Sequence, residues 1–235
     1  MATLNEIIYI LKNEINDYSN DYKVSNRQFE FMINFLRGEL IRQKGNKDKR
    51  MSSNIMQNLG PVPMSRYNIT DDSSMSLAGD ILCSVNNIPH PLETDSKDLF
   101  TYIGGIDRRS PFDYSNRAYA SHWSQYNKYT GGYKKSFYRD SKIYVTGDDN
   151  LLIQNIWVEG IFEDPREVYN FKINHAGVLC APTFAEEPYP MSEYMIHIIT
   201  SMIKKGELDL KFVLSRDNKN DGSTGEQTNT KVPQQ

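Results

Sequence analysis

Only two cysteines, Cys83 and Cys180, occur in 235 residues, far apart and in neither a metal-ligand nor a redox spacing. A disulfide scaffold, a zinc ribbon and a CxxC redox centre are therefore excluded. Both are expected to be small buried hydrophobes in a reducing compartment. No apolar run approaches the roughly 20 residues needed to span a bilayer. The opening Met1-Ala2-Thr3-Leu4-Asn5-Glu6 has no basic start and no long apolar core, so synthesis in a cytoplasm without a signal peptide is expected. Neither sign of charge dominates: 27 Lys and Arg face 30 Asp and Glu, a net charge of -3. Bulk charge thus recruits neither DNA nor an anionic membrane. Mean hydropathy is -0.62, low for a self-contained enzyme.

Catalytic patterns are missing too. There is no Gly-x-Ser-x-Gly elbow, Walker-type loop or dinucleotide glycine fingerprint. Thr130-Gly131-Gly132-Tyr133-Lys134-Lys135-Ser136 lacks phosphate-loop spacing and reads as a turn between strands. His90, His122, His175 and His197 are scattered without ligand spacing and read as structural histidines. The adjacent carboxylates Asp148/Asp149 and Glu186/Glu187 would point to opposite faces of a strand, so neither pair makes an acid–base dyad. No catalytic residue, cofactor or metal is expected.

What the chain has is tyrosine: fifteen, against ten Phe and two Trp. Tyr supplies stiff contact area with a polar tip and suits surfaces half-buried between subunits, although an AT-rich coding sequence also favours it. Thr3-Leu4-Asn5-Glu6 is a capping box, followed on one helical face by Leu4, Ile7, Ile8, Leu11, Ile15 and Tyr18. Ser19-Asn20-Asp21 breaks that helix. A second box, Ser25-Asn26-Arg27-Gln28, opens a helix whose stripe is Phe29, Met32, Ile33, Leu36 and Leu40, with Gly45 as its stop. Phe31 and Phe35 lie on its other side, and a helix apolar on two sides must touch more than one neighbour: it sits centrally in a bundle or at an interface.

Residues 51–98 are poorly periodic. Gly60-Pro61-Val62-Pro63 is extended and turn-like, and Leu77 to Val85 holds either one strand or a short helical turn. Leu99 to Ile103, stopped by Gly104-Gly105, reads as a strand. Lys142 to Thr146, the turn Gly147-Asp148-Asp149-Asn150, and Leu151 to Phe162 read as a hairpin. Arg166 to Phe171 is a short helix with Pro165 in its first turn. After Pro188-Tyr189-Pro190, the stripe Met191, Tyr194, Met195, Ile198, Ile199, Met202 and Ile203 marks the last long helix, closed by Lys204-Lys205-Gly206. Leu208 to Leu214 then alternates as a strand would, with a resumed helix as its rival. From Ser215 to Gln235 only Val232 is strongly apolar, so this tail is expected to order only against a partner.

One segment stands out. Between Tyr126 and Lys142, Tyr126, Tyr129, Tyr133, Phe137 and Tyr138 interleave with Lys128, Lys134, Lys135, Arg139 and Lys142. Over 101–142 eight cations face three carboxylates, whereas over 148–193 nine carboxylates face two cations, Arg166 and Lys172. A basic segment followed by an acidic one suits head-to-tail pairing between copies, which closes a ring when repeated by rotation. Tyr129, Tyr133, Lys134, Lys135, Tyr138, Arg139, Trp157, Glu163 and Asp164 are the candidate subunit-interface residues. The rival reading is a nucleic-acid-binding accessory protein that stacks bases on the aromatics of 126–142.

With these segments in place, the chain resembles the neck-ring (head–tail connector) proteins of crAss-like podoviruses infecting gut Bacteroidales. The resemblance rests on the Glu30 to Gln43 helix, the Ile156-Trp157-Val158-Glu159-Gly160-Ile161-Phe162-Glu163-Asp164-Pro165 strand and exit, and the closing helix with its Asp217 to Asp221 tail. It implies an adaptor that forms rings, typically twelve-fold, stacked beneath the portal, with the portal, adjacent rings and the passing genome as partners. Such a protein belongs to the virion and is assembled in the host cytoplasm. The expected fold class is α+β: a helical bundle from the N-terminal hairpin (1–50) and the C-terminal helix (188–214), an inserted antiparallel β-rich region (51–187), and the polar tail (215–235).

Overall fold

The computed structural model describes residues 2–16, 25–46, 51–67, 81–94, 99–115, 134–146, 153–175 and 183–204. Both capping boxes form. Thr3 N donates to Glu6 Oε2 at 2.9 Å while Glu6 N donates to Thr3 Oγ1 at 3.2 Å. Ser25 and Gln28 make the same reciprocal pair. They open α1 (Leu4–Asn16) and α2 (Asn26–Gly45). Strands follow: β1 (Gln57–Arg66), β2 (Ile81–Ser84), β3 (Phe100–Gly104), β4 (Asp113–Tyr114), β5 (Lys135–Arg139), β6 (Lys142–Thr146) and β7 (Asn155–Gly160). Helices α3 (Pro165–His175) and α4 (Glu193–Lys204), with short 3-10 turns at Ser53–Ile55 and Phe184–Glu186, complete the described elements.

The expected fold class is overturned. Helices α1, α2 and α4 do share a core, through Leu4, Ile7, Leu11, Phe29, Ile33, Met195 and Ile199. The β-structure, however, is no insertion into a bundle. Seven strands make one mixed sheet in the order β3-β7-β1-β2-β6-β5-β4. It is nearly closed into a barrel, because its two edges are linked by the chain itself. Gly104 bridges Pro111 and Phe112 N donates to Ile103 O at 2.7 Å. Immediately afterwards the same segment becomes β4 and pairs in parallel with β5.

The misreading has local causes. β1, the longest strand, carries Pro61 and Pro63, which suggest a turn. Both are tolerated because β1 is shared in halves: Gln57–Pro63 pairs with β7, and only Met64–Arg66 pairs with β2. Pro63 therefore offers just its carbonyl, to Val85 N at 2.9 Å, and its missing N–H forfeits only the reciprocal bond at the end of the β1–β2 ladder. Gly60, at φ +77°, supplies the left-handed residue of a bulge between Asn58 and Gly60. The expected hairpin also fails: β6 pairs with β2 and β5, and β7 with β1 and β3. The actual hairpin is β5–β6, turned by Asp140 and Ser141 at φ 50° and 60°, the left-handed pair of a type I′ turn. The alternatives at Leu77 to Val85 resolve to strand over 81–84. Gly147–Asn150, Leu208–Leu214 and the tail lie outside the described residues, as do Cys180 and His122.

Strand registers give the barrel two ends. Phe100, Gly160 and Gln57 lie at one, with Gly104, Asn155, Arg66, Ile81, Thr146 and Lys135 at the other. Alternation points Leu82, Ile143, Val145, Ile156 and Val158 inward, and Val168 and Phe171 of α3 pack onto this interior. On the outer face Phe137 stacks on Tyr144, with centroids 5.0 Å apart and planes 10° apart, beside Ile81 and the buried Cys83. Ile161 belongs to the helical core and Phe162 to the barrel interior. The exit of β7 is therefore where the two cores meet.

Candidate subunit interface

Most of the residues flagged from sequence already hold partners within the chain. Tyr138 is half-buried against Phe100, 5.6 Å between centroids, and its hydroxyl lies 3.2 Å from His90 Nδ1. Arg139 Nε sits 2.8 Å from Asp140 Oδ2. Trp157 lies under the Arg108 guanidinium, 4.1 Å from its centroid, and Trp157 Nε1 donates to Glu159 Oε1 at 2.8 Å. Arg108 closes that triangle with a 3.2 Å ion pair to Glu159, from a left-handed backbone at φ 56°. Glu163 accepts from Arg42 Nη2 at 3.3 Å, and Asp164 Oδ1 caps α3 by accepting from Arg166 N at 2.8 Å. Lys134 and Lys135 are half-buried at the barrel end opposite the helices; burial lowers the Lys135 ammonium, and Asp113 opposes that shift. Tyr129 and Tyr133 lie outside the described residues. The flagged side chains thus fall in three places: the open barrel end, the β5–β6 turn, and the junction with the helices.

Several large apolar side chains on helices are exposed, Tyr194 of α4 among them at 65%, and those of α1 and α2 were only half-legible in sequence. Phe31 and Phe35, one turn apart on α2, are 75% and 58% exposed. They flank the buried Ile33 by two residues on either side and so lie opposite the core-facing stripe. Arg27, one turn before Phe31, is exposed on that side. On α1, Tyr9 is 67% and Ile10 40% exposed, with the exposed Asn5, Glu6 and Asn13 around them. Helical spacing sets Glu6 between Tyr9 and Ile10, one turn earlier. The described cation of α1, Lys12, bonds Asn26 Oδ1 and sits over the Phe29 ring, so it is drawn toward α2. The outward charge of α1 is therefore a carboxylate; beside the α2 phenylalanines, Arg27 lies one turn before Phe31 and Glu39, ion-paired with Arg42, one turn after Phe35.

Sequence reasoning missed Arg37 altogether. It is fully buried on α2, where Nε donates to Pro190 O at 2.8 Å and Nη1 to Phe162 O at 3.0 Å. One side chain thereby ties α2 to the exit of β7 and the approach to α4. Burial lowers its pKa, while Tyr189 and Asp164 favour the cation. Beside it, Tyr189 donates to Asn34 Oδ1, and burial holds its phenol far above the usual tyrosine range, partly opposed by Arg37. An arginine among apolar helix residues at core spacing was the only available signal.

Two hollows remain. An open concavity of about 730 Å³ at the far barrel end is lined by Ile106, Asp107, Phe112, Lys134 and Asn155 among others. A smaller one, about 350 Å³, gathers His90, Ser141, Glu167 and His175. The first has one carboxylate and one ammonium on its walls. His90 in the second lies between two hydroxyls, Tyr138 Oη and Ser141 Oγ. Among the described residues no group of three His, Cys, Asp or Glu side chains is placed to hold a metal ion, and no helix is long and apolar enough to cross a membrane.

The geometry is a nearly closed barrel beside a helical core, with exposed aromatic residues on α1 and α2. The family model described as phage tail ring protein 2, of the crAss ring 2 type, matches residues 5–228. The chain belongs to that family. No curated protein matches it. Membership makes this a virion ring protein of a crAss-like phage, one that assembles as an oligomer with other tail components. The ring family suggests a non-enzymatic role.

Proposed function

We propose that this ring lies in the phage neck, connects portal to tail, and continues the channel through which DNA leaves the head. The family match over residues 5–228 carries the reading. Twelve copies would form the ring, its partners would be the portal and the adjacent ring or tail proteins, and the genome would pass without sequence recognition. Assembly would take place in the host cytoplasm.

In this reading Lys134, Lys135, Tyr138, Arg139, Trp157, Glu163 and Asp164 contribute to contact between copies, together with Tyr129 and Tyr133. Because Arg139, Glu163 and Asp164 already bond within the chain, a neighbour would extend their networks rather than create new ones. The segments 1–50 and 188–214 would form the helical part of each subunit, 51–187 the β-rich part, and 215–235 would order on a neighbour. The nucleic-acid reading loses ground because Phe137 is buried in a stack with Tyr144 and Tyr138 packs on Phe100, so neither ring presents a free face to a base.

Imaging of intact virions tests the position: a ring of this chain directly beneath the portal is expected. A ring elsewhere in the tail would end the connector reading, and absence of the chain from virions would end the structural one. Mass photometry with and without portal protein is expected to show a complex containing twelve copies on the portal.

A further inference from the structure

Resting on the ring reading, we propose that neighbouring copies join through two different helix faces: the outward face of α2 in one subunit packs on the outward face of α1 in the next. Phe31 and Phe35 on α2 and Tyr9 and Ile10 on α1 form the centre of this contact. Within one chain the two faces cannot cover each other, because α1 and α2 turn their buried stripes toward a shared core and their aromatic faces away from it. Between copies they can. The contact then uses two unlike patches, which is the heterologous arrangement that generates rings.

Among parallel packings, charge selects this pairing. Two α1 faces packed in parallel would oppose Glu6 to its own copy, and two α2 faces would do the same with Arg27. The mixed pairing sets carboxylate against guanidinium. Glu6 stands one turn before Ile10, and Arg27 one turn before Phe31, so helices packed in parallel bring the two charges together as the apolar residues meet. Each aromatic residue buries roughly 150–250 Å². These four apolar side chains therefore supply the anchor but not the whole of a standard interface, which covers about 800 Å² per partner. Anchors of this kind carry most of the binding energy within a wider contact.

Two double variants of the full chain test the pairing, Phe31→Ser/Phe35→Ser and Tyr9→Ser/Ile10→Ser. Sedimentation velocity over a concentration series is expected to show wild-type protein assembling beyond the dimer. Each variant alone is expected to need roughly 100-fold or more higher concentration to associate, with an unchanged circular dichroism spectrum. Each variant retains one intact face, so an equal mixture is expected to form dimers and stop there. Variants that assemble like wild type, a mixture that stays monomeric, or wild-type protein that remains monomeric throughout the series would each overturn the pairing. None of these results bears on whether virions contain the ring, which imaging decides separately.

Discussion

At the scale of single residues, Arg37 holds the molecule together. Its two hydrogen bonds reach backbone carbonyls of Phe162 and Pro190, from segments far apart in sequence. Arg37→Met keeps the volume but leaves both buried carbonyls without that donor. Relief of the arginine's desolvation offsets part of the loss, and hydrogen bonds to a charged group contribute about 1.5–3 kcal/mol each, so a net destabilisation of about 2 kcal/mol is expected in urea titration. Tyr189, beside it, makes stability pH-dependent at the alkaline end. Burial raises its folded pKa above the unfolded value of 10, so the folded state holds the proton more tightly. Its contribution is complete below about pH 10 and is lost as pH rises toward the folded value. Urea midpoints are expected to be level from neutral pH to about pH 9 and to fall beyond about pH 10. Tyr189→Phe should make that fall shallower; an equally steep fall in the variant would place the effect elsewhere.

At the scale of elements, the seam between β3 and the segment before β4 decides whether the sheet is open or closed. Gly104 sits where a Cβ would lie 2.4 Å from Ser110 O and 2.6 Å from the Tyr102 hydroxyl. The backbone oxygen cannot move aside without undoing the Gly105 N–Ser110 O bond of 3.1 Å. Gly104→Ala is therefore expected to cost about 1–3 kcal/mol and to raise hydrogen exchange at Phe112 N, whose bond to Ile103 closes the barrel. Unchanged protection there would show that the seam survives. The helices were legible element by element, because a capping box and a 3.6-residue stripe are local signals. The strands β3 and β6 were legible for the same reason. Their partners were not: Lys142–Thr146 reads as one arm of a hairpin to Leu151–Phe162, yet it pairs with β2 and β5. Pairing depends on residues distant in sequence, and β1 with its two prolines resembles a turn until its two half-partners are known.

At the scale of the whole molecule, two hydrophobic cores adjoin at one point. Ile161 packs with the helices, Phe162 with the barrel, and Arg37 bonds the carbonyl of the latter. Such a junction is expected to make the two parts unfold together. Far-UV ellipticity at helical wavelengths and tryptophan fluorescence, to which Trp157 on the barrel contributes, are expected to give coincident urea transitions. Separate midpoints would show that helices and barrel melt independently. The same layout leaves the outer faces of α1 and α2 open for neighbours, while α3 and the strands spend most of their apolar surface inside the subunit.

From the order of its residues alone, the chain specified helices at both ends and several strands between them, since each of these follows from short-range spacing. Phe31 and Phe35 even announced a helix with two apolar sides. Which of those sides faces outward, how seven short strands close upon themselves, and why one arginine is buried all depend on contacts between segments distant in the chain. Those contacts exist only once the chain has folded. The flagged aromatics and charges between Tyr126 and Asp164 show the same division: their composition was plain from the start, but for Tyr138, Arg139 and Trp157 it was packing that assigned partners within the subunit.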